Sequence, residues 1–227
     1  MATYQEIKGG KLKNYTEDPD NPYIGQLWYN TTVHGFRIRK NTLSSSWSSG
    51  GNLNTARKYL AGSNSGTQTA ALVFGGNDPG AVTDVTESYN GSSWTEVNDL
   101  NTARSQLAGA GTYTAALAFG GVSPPQVAIT ESYNGTSWTE VNDLNQTGTK
   151  LDGFGTSTAA IACGGDVSSS YSDRSETWNG TSWSEGNNLN QARNEVAAVS
   201  GTTTAGLVFG GQGPPPGMQD VTESYNG

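Results

Sequence analysis

Apolar residues in this chain fall in short runs separated by polar, glycine-rich stretches. The run Ala115-Ala116-Leu117-Ala118-Phe119 ends on Gly120-Gly121, and further on Trp138-Thr139-Glu140-Val141 begins and ends apolar around a polar pair. Such runs, bounded by Gly, Pro and Asn, predict short β-strands rather than long helices. Four strands are predicted in this region: Arg104 to about Gly111, Tyr113 to Phe119, Val127 to Tyr133, and Trp138 to Val141. Asn134-Gly135 between the last two tolerates positive φ and predicts a tight hairpin.

The same pattern recurs along the chain. Trp47, Trp94, Trp138 and Trp183 are 47, 44 and 45 residues apart. The pairs Gly75-Gly76, Gly120-Gly121, Gly164-Gly165 and Gly210-Gly211 are 45, 44 and 46 apart. Asn90, Asn134, Asn179 and Asn226, each followed by Gly, are 44, 45 and 47 apart. Three markers with one period predict a repeat protein, and strand-like repeats of about 40–50 residues are the signature of β-propeller blades. In a propeller the first strand of each blade faces a narrow central channel, which fits the small Ala108, Gly109, Ala110, Ala197 and Ala198.

The ends of the pattern match each other. Ser45-Ser46-Trp47-Ser48 is a fourth strand with no first three before it, and the sequence stops at Glu223-Ser224-Tyr225-Asn226-Gly227, after a third strand. The expectation is an all-β, four-bladed propeller over residues 42–227, closed by an N-terminal strand and preceded by an arm with a hairpin over residues 1–41. Closure of this kind removes exposed sheet edges. The rival expectation is an array with further blades beyond residue 227.

A double Gly after an apolar strand, then an aromatic residue, then Trp, appears as Phe119-Gly120-Gly121, Tyr133 and Trp138. A basic residue follows the other three tryptophans by ten, as Arg57, Arg104 and Arg193, while the third repeat has Gly148 there with Lys150 nearby. This wording resembles the kelch motif over about residues 44–227. The resemblance implies a kelch-like propeller and leaves function open, since such propellers host binding proteins and a few enzymes. The stretches Glu131 to Trp138, Asn101 to Arg104 and Ala115 to Gly121 are similar to kelch-like arrays in bacteriophage and environmental viral structural proteins. The stretch 22–30 (PYIGQLWYN), followed by Phe36-Arg37-Ile38-Arg39, resembles a short hairpin of phage fibre and virion proteins.

Composition narrows the chemistry. A net charge of −8 argues against nucleic acid as a partner. No apolar run approaches the roughly 20 residues of a membrane helix, and residues 1–6 carry no apolar secretory signal. Cys163 is the sole cysteine and His34 the sole histidine, so neither a disulfide framework nor a Cys- or His-based metal site is expected, and no cofactor is implied. Residues 1–41 hold six basic and four acidic residues, net +2; residues 42–227 hold six and sixteen, net −10. An arm this polar could not bury a core alone. Trp28, Tyr29, Phe36, Arg37 and Arg39 are therefore expected to dock on another virion protein, the alternative being a solvated tail whose hairpin packs on the propeller.

Candidate binding residues come from the loops between second and third strands, which vary while the opposite turns do not. Pro124, Pro125, Tyr171 and Met218 offer rigid or apolar contacts, and Asp78, Asp166 and Asp173 offer acceptors for sugar hydroxyls. Arg57, Arg104 and Arg193 on the linkers could clamp a carboxylate or sulfate. The competing expectation is a structural ion pair with the recurring Glu87, Glu131, Glu176 and Glu223. Catalytic expectations fare poorly, although Asp166 with Asp173 stays open as a carboxylate pair. Together with the resemblance, these features lead us to expect a non-enzymatic virion structural protein, a fibre, tip or decoration made in the host cytoplasm without a signal peptide. It would display a propeller for host surface glycans or proteins, and a homo-oligomer is allowed. The alternatives are a kelch-type sugar-processing enzyme and a generic protein-interaction module.

Overall fold

The computed structural model describes residues 13–20, 26–38, 47–198, 201–215 and 217–227. Residues 22–25, Arg39, Ser45 and Ser46, all used in the sequence expectations, lie outside them. The chain divides into two compact units, Met1–Ser49 and Gly50–Gly227.

In the first unit β1 (Lys13–Tyr15) pairs in parallel with β2 (Leu27–Asn30), which forms an antiparallel hairpin with β3 (Gly35–Ile38). Asp18 holds this together. Asn30 Nδ2 and Trp28 Nε1 each donate to its Oδ1 at 2.9 Å. These two bonds keep the Asp18 carboxyl below the usual carboxylate range.

The second unit contains four repeats. The first comprises β4 (Ala61–Gly62), β5 (Ala71–Phe74), β6 (Thr86–Tyr89) and β7 (Trp94–Val97). The second comprises β8 (Ala108–Thr112), β9 (Ala115–Phe119), β10 (Thr130–Tyr133) and β11 (Trp138–Val141). The third runs through β12 (Asp152–Thr156), β13 (Ala159–Cys163), a small hairpin of β14 (Asp166–Val167) and β15 (Ser170–Tyr171), then β16 (Ser175–Trp178) and β17 (Trp183–Glu185). The fourth has β18 (Ala197–Ala198), β19 (Gly206–Phe209), a hairpin of β20 (Gln212–Gly213) and β21 (Gly217–Met218), and β22 (Thr222–Tyr225). Three repeats form four-stranded antiparallel sheets, and the fourth has three strands among the described residues. All described elements are strands.

The predicted strands shift in detail. The first strand of the second repeat starts at Ala108 rather than Arg104, because Arg104 to Leu107 belong to the linker and bond elsewhere. The second starts at Ala115, since the chain turns through the exposed Tyr113. The third starts at Thr130 rather than Val127. The hairpin at Asn134-Gly135 is a four-residue turn in which Asn134 Oδ1 accepts from the N–H groups of Thr136 and Ser137 at 2.9 Å. Of the predicted closing strand, Ser45 and Ser46 lie outside the described residues, and Trp47 lies in no strand and is exposed.

Aromatic contacts join successive sheets. Trp138 of the second repeat lies edge-on to Phe74 of the first at 4.9 Å and donates its Nε1–H to Thr86 Oγ1 at 3.1 Å. Trp183 repeats this one step on, against Phe119 at 5.0 Å and Thr130 Oγ1 at 3.0 Å. Such pairs add about 0.5–1.5 kcal/mol each beyond their burial. The small residues of the first strands are required by the same packing: a Cβ added at Gly153 would stand 2.5 Å from the Phe119 ring.

The linker entering each repeat is locked by a carboxylate, buried in the first three repeats and partly exposed in the fourth. Asn54, Asn101, Asn145 and Asn190 each donate a backbone N–H and a side-chain N–H to Glu87, Glu131, Glu176 and Glu223, at 2.7 to 2.9 Å. Three of these glutamates also take an arginine: Arg57–Glu87 at 2.6 Å, Arg104–Glu131, and Arg193–Glu223 at 2.9 Å. Arg104 Nη2 additionally donates to the Ala118 carbonyl at 3.1 Å. Burial would raise the Glu87 pKa, but the Asn54 bonds and the Arg57 charge outweigh it and hold the group ionised below its ordinary value. In the third repeat Gly148 replaces the arginine, and a cavity of about 30 Å³ lies beside Glu176.

Removing one partner of a buried pair leaves an uncompensated charge. Arg104→Ala is expected to cost about 3–5 kcal/mol in urea unfolding. Gly148 has no positive φ and space for a Cβ, so Gly148→Arg is expected to raise the midpoint by giving Glu176 its missing partner.

Candidate binding site

The linkers and the loops after the second strands meet at one end of the repeats. Lys58 pairs with Asn77, Ser105 with Val122, Thr149 with Asp166, and Asn194 with Gln212. The Gly pairs make this approach close: Gly121, at φ 104°, donates its N–H to the Gly148 carbonyl at 2.7 Å.

The residue after each paired linker position is left-handed. These are Tyr59 (φ 57°), Gln106 (φ 54°), Lys150 (φ 55°) and Glu195 (φ 51°). None is glycine, although an L residue loses about 1–2 kcal/mol in this conformation. A chain of bonds from repeat to repeat enforces it. Gln106 N–H donates to the Tyr59 carbonyl at 2.9 Å, Lys150 N–H to Gln106 at 2.9 Å, and Glu195 N–H to Lys150 at 3.0 Å. The four side chains line one cavity of about 160 Å³, with Leu60, Leu107, Leu151 and Val196 completing its wall.

The backbone repeats while the chemistry does not: a phenol, an amide, an ammonium and a carboxylate surround the mouth. Lys150 Nζ lies 3.4 Å from Asp166 Oδ2 and 3.5 Å from Glu195 Oε1. Burial works against the ammonium, but the two carboxylates outweigh it and raise its pKa. Asn194 Nδ2 donates to Asp166 Oδ1 at 2.7 Å, and Thr149 Oγ1 donates to Gln106 Oε1 at 2.8 Å. Tyr59 carries the Lys58 ammonium 5.1 Å above its ring centre.

Beneath the mouth the first strands converge. Asn64 Nδ2 donates to the Gly109 carbonyl at 3.1 Å and also to that of Gly153. Asp152 stands where other repeats have Ala61, Ala108 and Ala197. Its carboxylate accepts from Gly153 N–H at 2.8 Å and from Ala198 N–H of the next repeat at 2.7 Å. Burial raises its pKa against these bonds. Cys163 is buried and its thiol is pushed up to about 12, chiefly by burial. Among the described residues no group of three or more His, Cys, Asp or Glu is placed to hold a metal ion.

The residues singled out from sequence are dispersed. Asp166 alone among the loop candidates joins the mouth, and Tyr171 is its partner in the β14–β15 hairpin. Asp78 turns inward on its own loop, with Oδ1 accepting from Gly80 and Ala81 N–H at 2.8 and 2.9 Å, which lowers its pKa. Pro124 and Pro125 are exposed at a loop tip, and Met218 is 92% exposed on another. Asp173 is half-buried, with its carbonyl accepting from Leu189 N–H at 2.7 Å. The side chains of Arg57, Arg104 and Arg193 are fully buried, each paired with a glutamate of its own repeat, so they do not converge as a clamp. In the first unit Trp28 is buried on Asp18, whereas Phe36 and Arg37 are exposed and Tyr29 packs 5.2 Å from the Phe36 ring. Sequence reasoning missed Tyr59, Gln106, Glu195, Asn64 and Asp152, and noted Lys150 only as a neighbour of Gly148. The available signal was a column of four unlike polar residues just before Leu60, Leu107, Leu151 and Val196.

Asp152 has a testable pH signature. A carboxyl whose folded pKa is raised contributes stability that is full below the ordinary value of 3.8 and is lost as pH rises through the raised value. Thermal unfolding of the intact chain should therefore lose stability over that interval, and Asp152→Asn should remove this component of the pH dependence.

No protein-family model matches the chain, and no curated protein matches it.

Proposed function

We propose that this protein is a non-enzymatic recognition module that takes a glycan end at its axial mouth. The observation that carries this reading is the set Tyr59, Gln106, Lys150 and Glu195, one left-handed backbone position occupied four times by unlike polar side chains around one cavity. A position repeated only for folding keeps its side chain, as Glu87, Glu131, Glu176 and Glu223 do. Strained residues that persist without glycine are a mark of functional sites. Mixed donors and acceptors suit hydroxyls, and the Leu60, Leu107, Leu151 and Val196 wall suits the apolar face of a sugar ring.

In this proposal the four sheets are blades of a kelch-like propeller, completed by the N-terminal strand around Trp47. Residues 1–41 are the attachment arm, with Phe36 and Arg37 facing another virion protein. The virion setting and the host-surface glycan rest on the resemblance of the repeats and of the 22–30 stretch to phage and viral structural proteins.

Tyr59→Gly and Lys150→Gly separate recognition from folding. Glycine relieves a left-handed strain of about 1–2 kcal/mol, so both variants should fold with equal or higher stability. Both should lose binding to the glycans that the unaltered chain captures on an array. Retained binding by the stably folded variants would remove the axial site from consideration.

A further inference from the structure

Each repeat of the second unit meets the next through one set of main-chain bonds. Between the first two, Leu100 N–H donates to the Asp84 carbonyl at 3.0 Å and Arg104 N–H to that of Thr83 at 3.2 Å. Gln106 N–H donates to Tyr59 at 2.9 Å, and in return Gly76 N–H donates to the Arg104 carbonyl at 2.9 Å. The same four bonds recur from Leu144, Gly148, Lys150 and Gly121 at the second junction, and from Leu189, Arg193, Glu195 and Gly165 at the third. At the first two junctions an indole of the later repeat, Trp138 or Trp183, also reaches the Thr hydroxyl of the earlier one.

The outer faces of the first and fourth repeats carry the two halves of one more such junction. On the first repeat, the N–H groups of Leu53, Arg57 and Tyr59 and the Trp94 indole N–H have no acceptor among the described residues. A Cβ added at Gly62 would meet no ring within 4 Å, whereas one at Gly109 or Gly153 would meet Phe74 or Phe119. Val73 on this face is half-buried, while Ala118, Ala162 and Val208 in its place are buried. On the fourth repeat, the Asp220, Gln219 and Glu195 carbonyls and the Gly211 N–H are unpaired among the described residues. Leu207 is 42% and Phe209 37% exposed, and Thr222 is exposed, although their counterparts Leu72, Phe74 and Thr86 are buried. Each free group on one face has its counterpart, by repeat position, on the other.

We propose that these faces join copies of this chain head to tail, the first repeat of one copy packing on the fourth repeat of another. Following the internal junctions, Trp94 of one copy packs on Phe209 of the other and donates to its Thr222 Oγ1. Tyr59 N–H takes the Glu195 carbonyl and carries the left-handed collar into the next copy. Leu53 and Arg57 N–H take the Asp220 and Gln219 carbonyls, and Gly211 N–H takes the Arg57 carbonyl. A second copy is the occupant because one chain carries both matching faces, and within that chain no bond joins them among the described residues. Exposed main-chain donors and acceptors of this kind recruit another chain. The contact is heterologous, so it closes into a ring or propagates as a filament. The proposal stands on the junctions between repeats and does not depend on the glycan reading.

The full chain is weighed across a dilution series by analytical ultracentrifugation, beside Leu207→Glu and Trp94→Glu. Circular dichroism confirms that each variant folds, and Val73→Glu takes the place of Trp94→Glu if that variant does not. The unaltered chain should show masses of two or more copies that rise with concentration. Each variant alone should stay a single chain, since every junction it could make has one damaged face. Mixed, the two variants should form a pair and nothing larger, because one intact face remains on each. A single-chain mass for the unaltered protein at every concentration overturns the proposal. So does a folded Leu207→Glu chain that still associates, or a mixture of the two variants that stays monomeric.

Discussion

A buried glutamate on the third strand is the contact from which the other features follow. Glu131 accepts the backbone and side-chain N–H groups of Asn101 and pairs with Arg104, so the linker arrives at its repeat in one fixed path. Ions out of water are costly unless every bond is made. Here Asn101 and Arg104 supply the bonds to the Glu131 carboxylate, while Arg104 Nε is left without a partner, and burial depresses the Arg104 pKa even against the attraction of Glu131. With the linker fixed, Ser105 pairs with Val122 and Gln106 is forced into the left-handed region. The mouth is thus built on a carboxylate that it does not contain.

A second set of contacts sets the spacing between repeats. The indoles of Trp138 and Trp183 cross from one sheet to the next, while Gly109 and Gly153 leave room for the Phe74 and Phe119 rings behind them. These two layers divide the labour. Trp, Gly and Glu columns hold the framework and scarcely vary, and the Tyr59, Gln106, Lys150 and Glu195 column varies at every step. Asp152 belongs to neither column: it replaces an alanine and uses its carboxylate to catch the first strand of the following repeat at Ala198.

The strands and their order were legible because each repeat states them again, and four copies of Trp, Gly-Gly and Asn-Gly average out local ambiguity. Strand starts were less legible. The linker residues Arg104 to Leu107 look like strand because they are apolar in part, yet the Arg104 and Gln106 N–H groups donate to the first repeat and Ser105 pairs with the Val122 loop position. The spacing of the arginines fits both a clamp and ion pairs, and the deciding fact, complete burial beside Glu87, Glu131 and Glu223, is a matter of packing that spacing does not reveal. The mouth was hidden for a different reason. Its residues are unlike one another, so no motif marks them, and a left-handed Tyr, Gln, Lys or Glu leaves no trace in composition. Loop variability pointed instead to tips such as Pro124, Pro125 and Met218, which stand exposed and apart.

The left-handed collar has an evolutionary consequence. Unbranched L residues other than Asn and Asp meet a similar steric resistance there, and the bonds that impose the conformation come from main-chain N–H and carbonyl groups. Exchanging one collar side chain for another therefore keeps the main-chain path while it rewrites the chemistry at the opening. Substitutions can accumulate at this collar one residue at a time, without a change in the backbone of the sheets.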